Sequence, residues 1–238
     1  MAAPGCGGAI RTVKYGMSNR PEPAGPTTSA LPPGDDDADS LFGIERLRAG
    51  WVFAYGSLIW HPDFEYAERY LTRIHGYHRA FCISSTRYRG TPDAPGVVLG
   101  LDRGGSCHGV AYRIRPGEEE QVVEALYQRE MPNHVYTPRK LPVRLPHGPV
   151  VEAITFVARR DHPSYLRLSR DEVLRRLSSC RGGRGHNREY AINTWHALRE
   201  WGIEDAGLGV IARELEALGC VDEGTQAPQE PTALSNQR

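Results

Sequence analysis

Glu130 is the first candidate for chemistry, because the pattern around it puts an acid on the inward side of a helix end. The stretch Pro116-Gly-Glu-Glu-Glu120 opens a helix with negative charge at the positive end of its dipole. Val122, Val123 and Leu126 give it an apolar face, and Pro132 stops it. Glu130 follows Leu126 by one helical turn and so shares the core-facing side. Burial and the negative helix terminus both disfavour a carboxylate, so the proton affinity of Glu130 is expected to lie above that of an ordinary glutamate, which suits a general base.

Tyr55-Gly-Ser-Leu58 follows an apolar run and precedes a non-helical stretch with His61 and Pro62. Gly lets the chain turn sharply, and consecutive N–H groups in such a turn form a concave nest for an anion; a plain strand-to-loop turn is the alternative. Gly182-Gly-Arg-Gly185 reads either as an anion site ahead of a helix or as a flexible connection. Arg87, Tyr88 and Arg89 form either a carboxylate-pairing group or a solvated loop. His75, His78 and Cys82 invite a metal or a thiol nucleophile, but residues 75 and 78 point to opposite faces of a strand and no ligand spacing supports them. No G-x-G-x-x-G or G-x-x-x-x-G-K-[ST] is present, which removes the dinucleotide and P-loop readings.

These residues need elements to hold them. Strand-like segments fall at 51–55, 76–84, 96–101, 107–114, 141–145 and 150–158, separated by Gly and Pro. The second half is helical. Ser169-Arg-Asp-Glu172 is a capping box, Asn187 is placed to cap a helix carrying Ala191, Trp195 and Leu198, and Leu208, Ile211, Leu215 and Leu218 make a stripe stopped by Gly219. Strands first and helices later predict an α+β domain around a curved sheet. Residues 1–40 carry six Gly, six Pro and an acidic run, and read as a disordered tail. The folded domain is expected over 41–221, with a second flexible tail over 222–238.

Composition narrows the function classes. Lys plus Arg and Asp plus Glu are 29 each among 238 residues, so no broad attraction to nucleic acid or an anionic membrane is implied. No apolar run approaches a membrane span and no secretory signal is visible, so an intracellular, cytoplasmic protein is expected. The five cysteines are scattered and odd in number, which favours reduced thiols and no zinc site.

In order along the chain, FAYGSLIW at 53–60, HGYHRAFC at 75–82, TRYRGTPDAPGVVLGLD at 86–102, GGSCHGVAYRI at 104–114, YQREM at 127–131, VYTPR at 135–139, AITFVA at 153–158 and GHNREY at 185–190 resemble the ChaC-type γ-glutamylcyclotransferases that act on glutathione. The resemblance implies a mixed β-barrel with surrounding helices, the γ-glutamylcyclotransferase-like fold. It implies cleavage of glutathione to 5-oxoproline and Cys-Gly, with glutathione as the small-molecule partner and without cofactor or metal. Glu130 falls at the family's catalytic glutamate. Tyr55, Gly56, Ser57, Leu58 and Ile59 fall at the segment that holds the γ-glutamyl group. Tyr136 borders the pocket by its place in the motif, and Arg87 or Arg89 would favour glutathione by meeting its glycine carboxylate. Other γ-glutamyl amines or peptides as substrates, a glutathione-binding module without turnover, and a Cys82 or Cys107 nucleophile remain as alternatives.

Overall fold

The computed structural model describes residues 49–146 and 148–222, the last four by backbone alone. The tails expected at 1–40 and 222–238 lie outside these residues, save Asp222, which ends the last helix. In chain order the elements are β1 (Trp51–Ala54), a 3₁₀ turn (Ser57–Ile59), β2 (Tyr66–Ser85), β3 (Gly96–Ile114), α1 (Glu119–Glu130), β4 (Tyr136–Arg144), β5 (Val150–Ala158), α2 (Arg170–Ser179), β6 (Arg181–Gly182), β7 (Gly185–His186), α3 (Asn187–Glu200) and α4 (Ala206–Asp222).

The architecture is mixed α+β. The main sheet runs β2-β3-β1-β5-β4, antiparallel except where β5 lies parallel to β1 and β3. β1 is short and buried on both faces. Val52 and Ala54 join the larger core under the helices, whereas Phe53 and Tyr55 join a second cluster with Ile74, Leu101, Val143 and Val157. Beyond the end of β1, β3 meets β5 directly at Leu101 and Val157. No ladder joins the edge strands β2 and β4 among the described residues, so the sheet is not a closed barrel of paired strands. The edges do touch: Thr72 Oγ1 donates to the Arg144 carbonyl at 2.9 Å.

Several expectations change in detail. β2 begins ten residues earlier than its apolar run, at Tyr66. The two strands expected at 96–101 and 107–114 are one, because Gly104 (φ 100°) and Gly105 (φ 71°) sit opposite Gly76 (φ 84°) and bend the hairpin without ending it. Asn187 is not a cap. It is the first residue of α3, fully buried, and its carboxamide pairs with both polar groups of Val97. α4 continues through Gly219, and Leu218 stands half exposed; the buried stripe is Leu208, Ala212 and Leu215. The capping box is present, with Ser169 Oγ accepting from the Glu172 amide at 3.2 Å.

Candidate active site

One cavity of about 330 Å³ gathers most of the candidate residues. Its floor comes from the end of β1. After Ala54 the chain turns at Gly56 into the 3₁₀ segment, whose first amides have no acceptor within so short a helix. The turn is fixed from four directions. Arg79 Nε donates to the Tyr55 carbonyl at 2.6 Å, and the Tyr112 hydroxyl donates to the Ile59 carbonyl at 3.0 Å. Trp60 Nε1 donates to Thr194 Oγ1 at 3.2 Å, and Arg129 donates to the His61 carbonyl at 2.9 Å and to Ser57 Oγ at 3.2 Å.

Tyr55, Gly56, Ser57 and Leu58 line the cavity. Ile59 does not: its side chain is buried in the core under the turn, because a 3₁₀ segment of three residues cannot direct all of them to one side. Its contribution is the carbonyl anchored by Tyr112.

Glu130 is the last residue of α1 and enters the cavity beside the turn. Its side chain is one-fifth exposed, with Oε1 3.1 Å from Arg129 Nε. Burial raises its proton affinity above the ordinary carboxylate value; Arg129 and Arg184 oppose this, and Asp63 adds to it. Arg129 therefore does two jobs at once. It orients the carboxyl and ties it, through Ser57, His61 and an ion pair with Asp63 at 2.6 Å, to the turn.

Three tyrosines complete the wall. Tyr55 donates to the Phe156 carbonyl at 3.0 Å and Tyr136 to the Leu99 carbonyl at 3.2 Å, while the Tyr190 oxygen accepts from the Leu99 amide at 3.2 Å. Burial, followed by neighbouring groups that include Glu130, keeps the phenols of Tyr55 and Tyr136 protonated well beyond their usual range, and burial raises Tyr190 too. A Cβ at Gly56 would stand 3.5 Å from the Tyr190 oxygen, so the bare backbone of the turn faces that hydroxyl.

The rim is built by the loop after β2 and the β6–β7 hairpin. Gly183 and Arg184 amides donate to the Arg87 and Tyr88 carbonyls, both at 2.9 Å. This closeness requires glycine, since a Cβ at Gly182 would lie 2.5 Å from the Tyr88 carbonyl carbon. The Gly182 to Gly185 segment thus connects the two helices as a paired hairpin docked on the rim. Arg89 lines the cavity but is buried and engaged: Nη1 donates to the His186 carbonyl at 3.0 Å and lies 3.7 Å from Glu189. Cys82 does not line it; burial pushes its thiol up to about 12, which disfavours the thiolate a nucleophile needs. Cys107 is buried as well, and its thiol is likewise raised.

A family model described as ChaC-like protein matches residues 50–218. The chain belongs to the ChaC-like family. Among its curated relatives, the glutathione-specific γ-glutamylcyclotransferase of Escherichia coli K12 is 38% identical over 71% of this chain and 73% of its own length. The mouse glutathione-specific γ-glutamylcyclotransferase 1 is 32% identical over 87% of this chain and 94% of its own. A crystal structure of a glutathione-specific cyclotransferase from yeast shares the fold, with a TM-score of 0.65 at 24% identity over 71% of this chain and 96% of that one. No helix among the described residues is long and apolar enough to cross a membrane.

In this ChaC-like chain, Arg129, Arg184, Tyr190 and Trp60 line the cavity without having been singled out as site residues. A signal for Tyr190 existed. It lies three residues after Asn187 and four before Thr194, on the face of α3 that the fold buries. Arg184 lies within the Gly182-Gly-Arg-Gly185 segment read as a possible anion site, but its place at this cavity depends on a hairpin that only close backbone packing specifies.

Proposed function

We propose that this protein is a γ-glutamylcyclotransferase that cleaves glutathione into 5-oxoproline and Cys-Gly. The carrying observation is that Glu130, a largely enclosed carboxyl with raised proton affinity, is held by Arg129 against the turn at 55–58. The activities of the relatives, glutathione-specific cyclotransferases from bacterium to mammal, agree with it.

In glutathione the glutamyl α-amine and the γ-amide carbonyl belong to one molecule. The amine nitrogen bonds to the carbonyl carbon, a five-membered lactam closes, and the amide C–N bond breaks. The amine proton leaves through Glu130 and returns to the departing cysteine nitrogen, so the reaction consumes no water. Holding the flexible glutamyl chain folded supplies much of the rate, since intramolecular reactions in the right geometry reach effective molarities of up to about 10^5–10^8 M. In our reading that is the task of the turn, whose amides at Gly56, Ser57 and Leu58 receive the glutamyl α-carboxylate. Ile59 supports the turn through its backbone. Tyr136 and Arg89 shape the wall, Arg89 by holding Tyr190, over whose ring its guanidinium carbon lies at 5.7 Å.

The α-amine has a reference pKa of about 8 and is mostly protonated at neutral pH, so a base is required. An ordinary glutamate near 4.3 would take that proton poorly, and burial moves Glu130 in the useful direction. We also read the sheet as a barrel closed at the β2–β4 seam by side-chain contact, of which the Thr72 bond is one part.

Glu130→Gln tests the assignment. It keeps the shape and removes the proton acceptor, so turnover measured as 5-oxoproline release is expected to fall by at least about 10^2. In the wild type the acid limb of kcat/KM is expected above the ordinary glutamate value of about 4.3. Near-normal lactam release by folded Glu130→Gln protein would refute the role.

A further inference from the structure

Glutathione carries two carboxylates, and the turn accounts for one. The cavity lining holds four cations, Arg87, Arg89, Arg129 and Arg184, against the single acid Glu130, although the chain as a whole is neutral. Two of the four are committed. Arg129 is taken by Asp63, Glu130 and the turn, and Arg89 by the His186 carbonyl and Glu189. Arg87 and Arg184 have no ion pair or side-chain hydrogen bond among the described residues, and both stand exposed at the rim. What they do contact is one ring: the guanidinium carbon lies over Tyr88 at 4.3 Å for Arg184 and 5.6 Å for Arg87.

Stacking on an aromatic face orients a guanidinium while leaving its edge N–H groups available, and those edges match a carboxylate in a two-point fork. The backbone bonds from Gly183 and Arg184 to Arg87 and Tyr88 hold the two arginines' chain segments together, so the pair is arranged before any ligand arrives.

We propose that Arg87, Tyr88 and Arg184 form a subsite for the carboxylate at the end of the substrate remote from the scissile amide, which in glutathione is the glycine carboxylate. This rests on the cyclotransferase reading above and gives that site a reason to prefer γ-glutamyl peptides with a free C-terminal acid over γ-glutamyl amines. Arg89, the nearest alternative in the motif, is excluded by its existing partners and serves Tyr190.

The test compares glutathione with its analogue in which the glycine carboxylate is a primary amide; the glutamyl end and the scissile bond are the same in both. Affinity is measured by titration calorimetry on the Glu130→Gln protein, where turnover is suppressed, and 5-oxoproline release is measured on protein with Glu130 intact. Charge-assisted hydrogen bonds of this kind are worth about tenfold or more. The amide is therefore expected to bind, and to be processed in kcat/KM, about tenfold or more worse than glutathione. With Arg87→Gln and Arg184→Gln combined, that preference is expected to shrink to about twofold or less; both side chains are exposed, so the fold should tolerate the change. Equal handling of the two ligands before substitution, or an undiminished preference after it, overturns the subsite. Failure of the cyclotransferase reading looks different: 5-oxoproline from neither ligand, with the calorimetric preference still deciding the subsite. If neither ligand binds, both readings fall.

Discussion

A carboxyl kept in a partly dry pocket has a thermodynamic cost that can be measured without substrate. Burial raises the proton affinity of Glu130 in the folded chain. The stability linked to a group raised in this way is fully present below its unfolded pKa and is lost as pH rises through the folded value. At neutral pH a charge on Glu130 is therefore a net burden on the fold, offset only in part by Arg129 and Arg184. Gln has the same shape and no charge to desolvate. Glu130→Gln is expected to melt at a higher temperature than wild type at pH 7, with the advantage vanishing below about pH 4, where both states of the wild type carry the proton. Each kcal/mol corresponds to about 2–4 °C in a domain of this size, within reach of scanning calorimetry. A lower melting temperature for the Gln variant at pH 7 would mean that the Arg129 pairing outweighs burial, and that the carboxyl is too well stabilised to act as the base described above. Activity and stability thus pull in opposite directions at this residue, as expected where function requires a strained charge state.

At the scale of elements, the site depends on how α3 docks on β3. Asn187 receives the Val97 amide at 2.7 Å and donates to the Val97 carbonyl at 2.8 Å, standing in for a neighbouring strand. One turn later Tyr190 receives the amide of Leu99, two residues along and on the same edge of β3. This match places the Tyr190 hydroxyl against Gly56. Asn187→Ala leaves an N–H and a C=O unpaired in the interior, at about 1–3 kcal/mol each. The expected loss is about 2–5 kcal/mol in a denaturant titration, with a raised KM in the protein that remains folded; a loss below about 1 kcal/mol would show that water replaces the carboxamide. The residue types around Asn187 suggest a cap, since Asn ahead of an apolar helical pattern normally caps. What overrides this is a tertiary partner 90 positions earlier in the chain, and no local pattern reports it. The same limit explains β2, whose first half carries Glu68, Arg69 and Arg73 and so lacks an apolar run, although Ile74 is buried and the strand pairs with β3 from Tyr66 to Ser85, interrupted only by bulges. By contrast β5 and the α2 capping box are local in origin, and both were legible. So was the position of Glu130, because helix phase and the following Pro132 are local too. The rim arginine Arg184 and the wall tyrosine Tyr190 come from the far end of the chain and become neighbours of Glu130 only in the folded molecule.

For the whole molecule, the question is what keeps a five-stranded sheet curved enough to enclose the second cluster of Phe53, Ile74, Leu101 and Val143 while its outer face carries the helices. Twist and the glycine bulge at Gly76, Gly104 and Gly105 bend β2 and β3. Bending alone would leave β2 and β4 as free edges, each a template for unwanted pairing. Thr72 is buried, and its hydroxyl reaches across to the Arg144 carbonyl, a single bond between the two edges. Thr72→Val keeps the volume and the β-branch that suits a strand, and deletes only that bond. The expected cost is about 1–3 kcal/mol, because the Arg144 carbonyl loses its partner in a partly buried place. If the seam holds the curvature, amide exchange should quicken along β4 and the first half of β2 while β1 and β5, buried in the middle of the sheet, keep their protection. The cavity should survive, since its turn is fixed by Arg79, Tyr112, Thr194 and Arg129 and not by the seam. Normal lactam release with accelerated exchange confined to the edges is therefore the expected result for Thr72→Val. Uniform acceleration through β1 and β5 would instead show that the sheet opens as one unit, and that the bond across its edges contributes to global stability without closing a barrel.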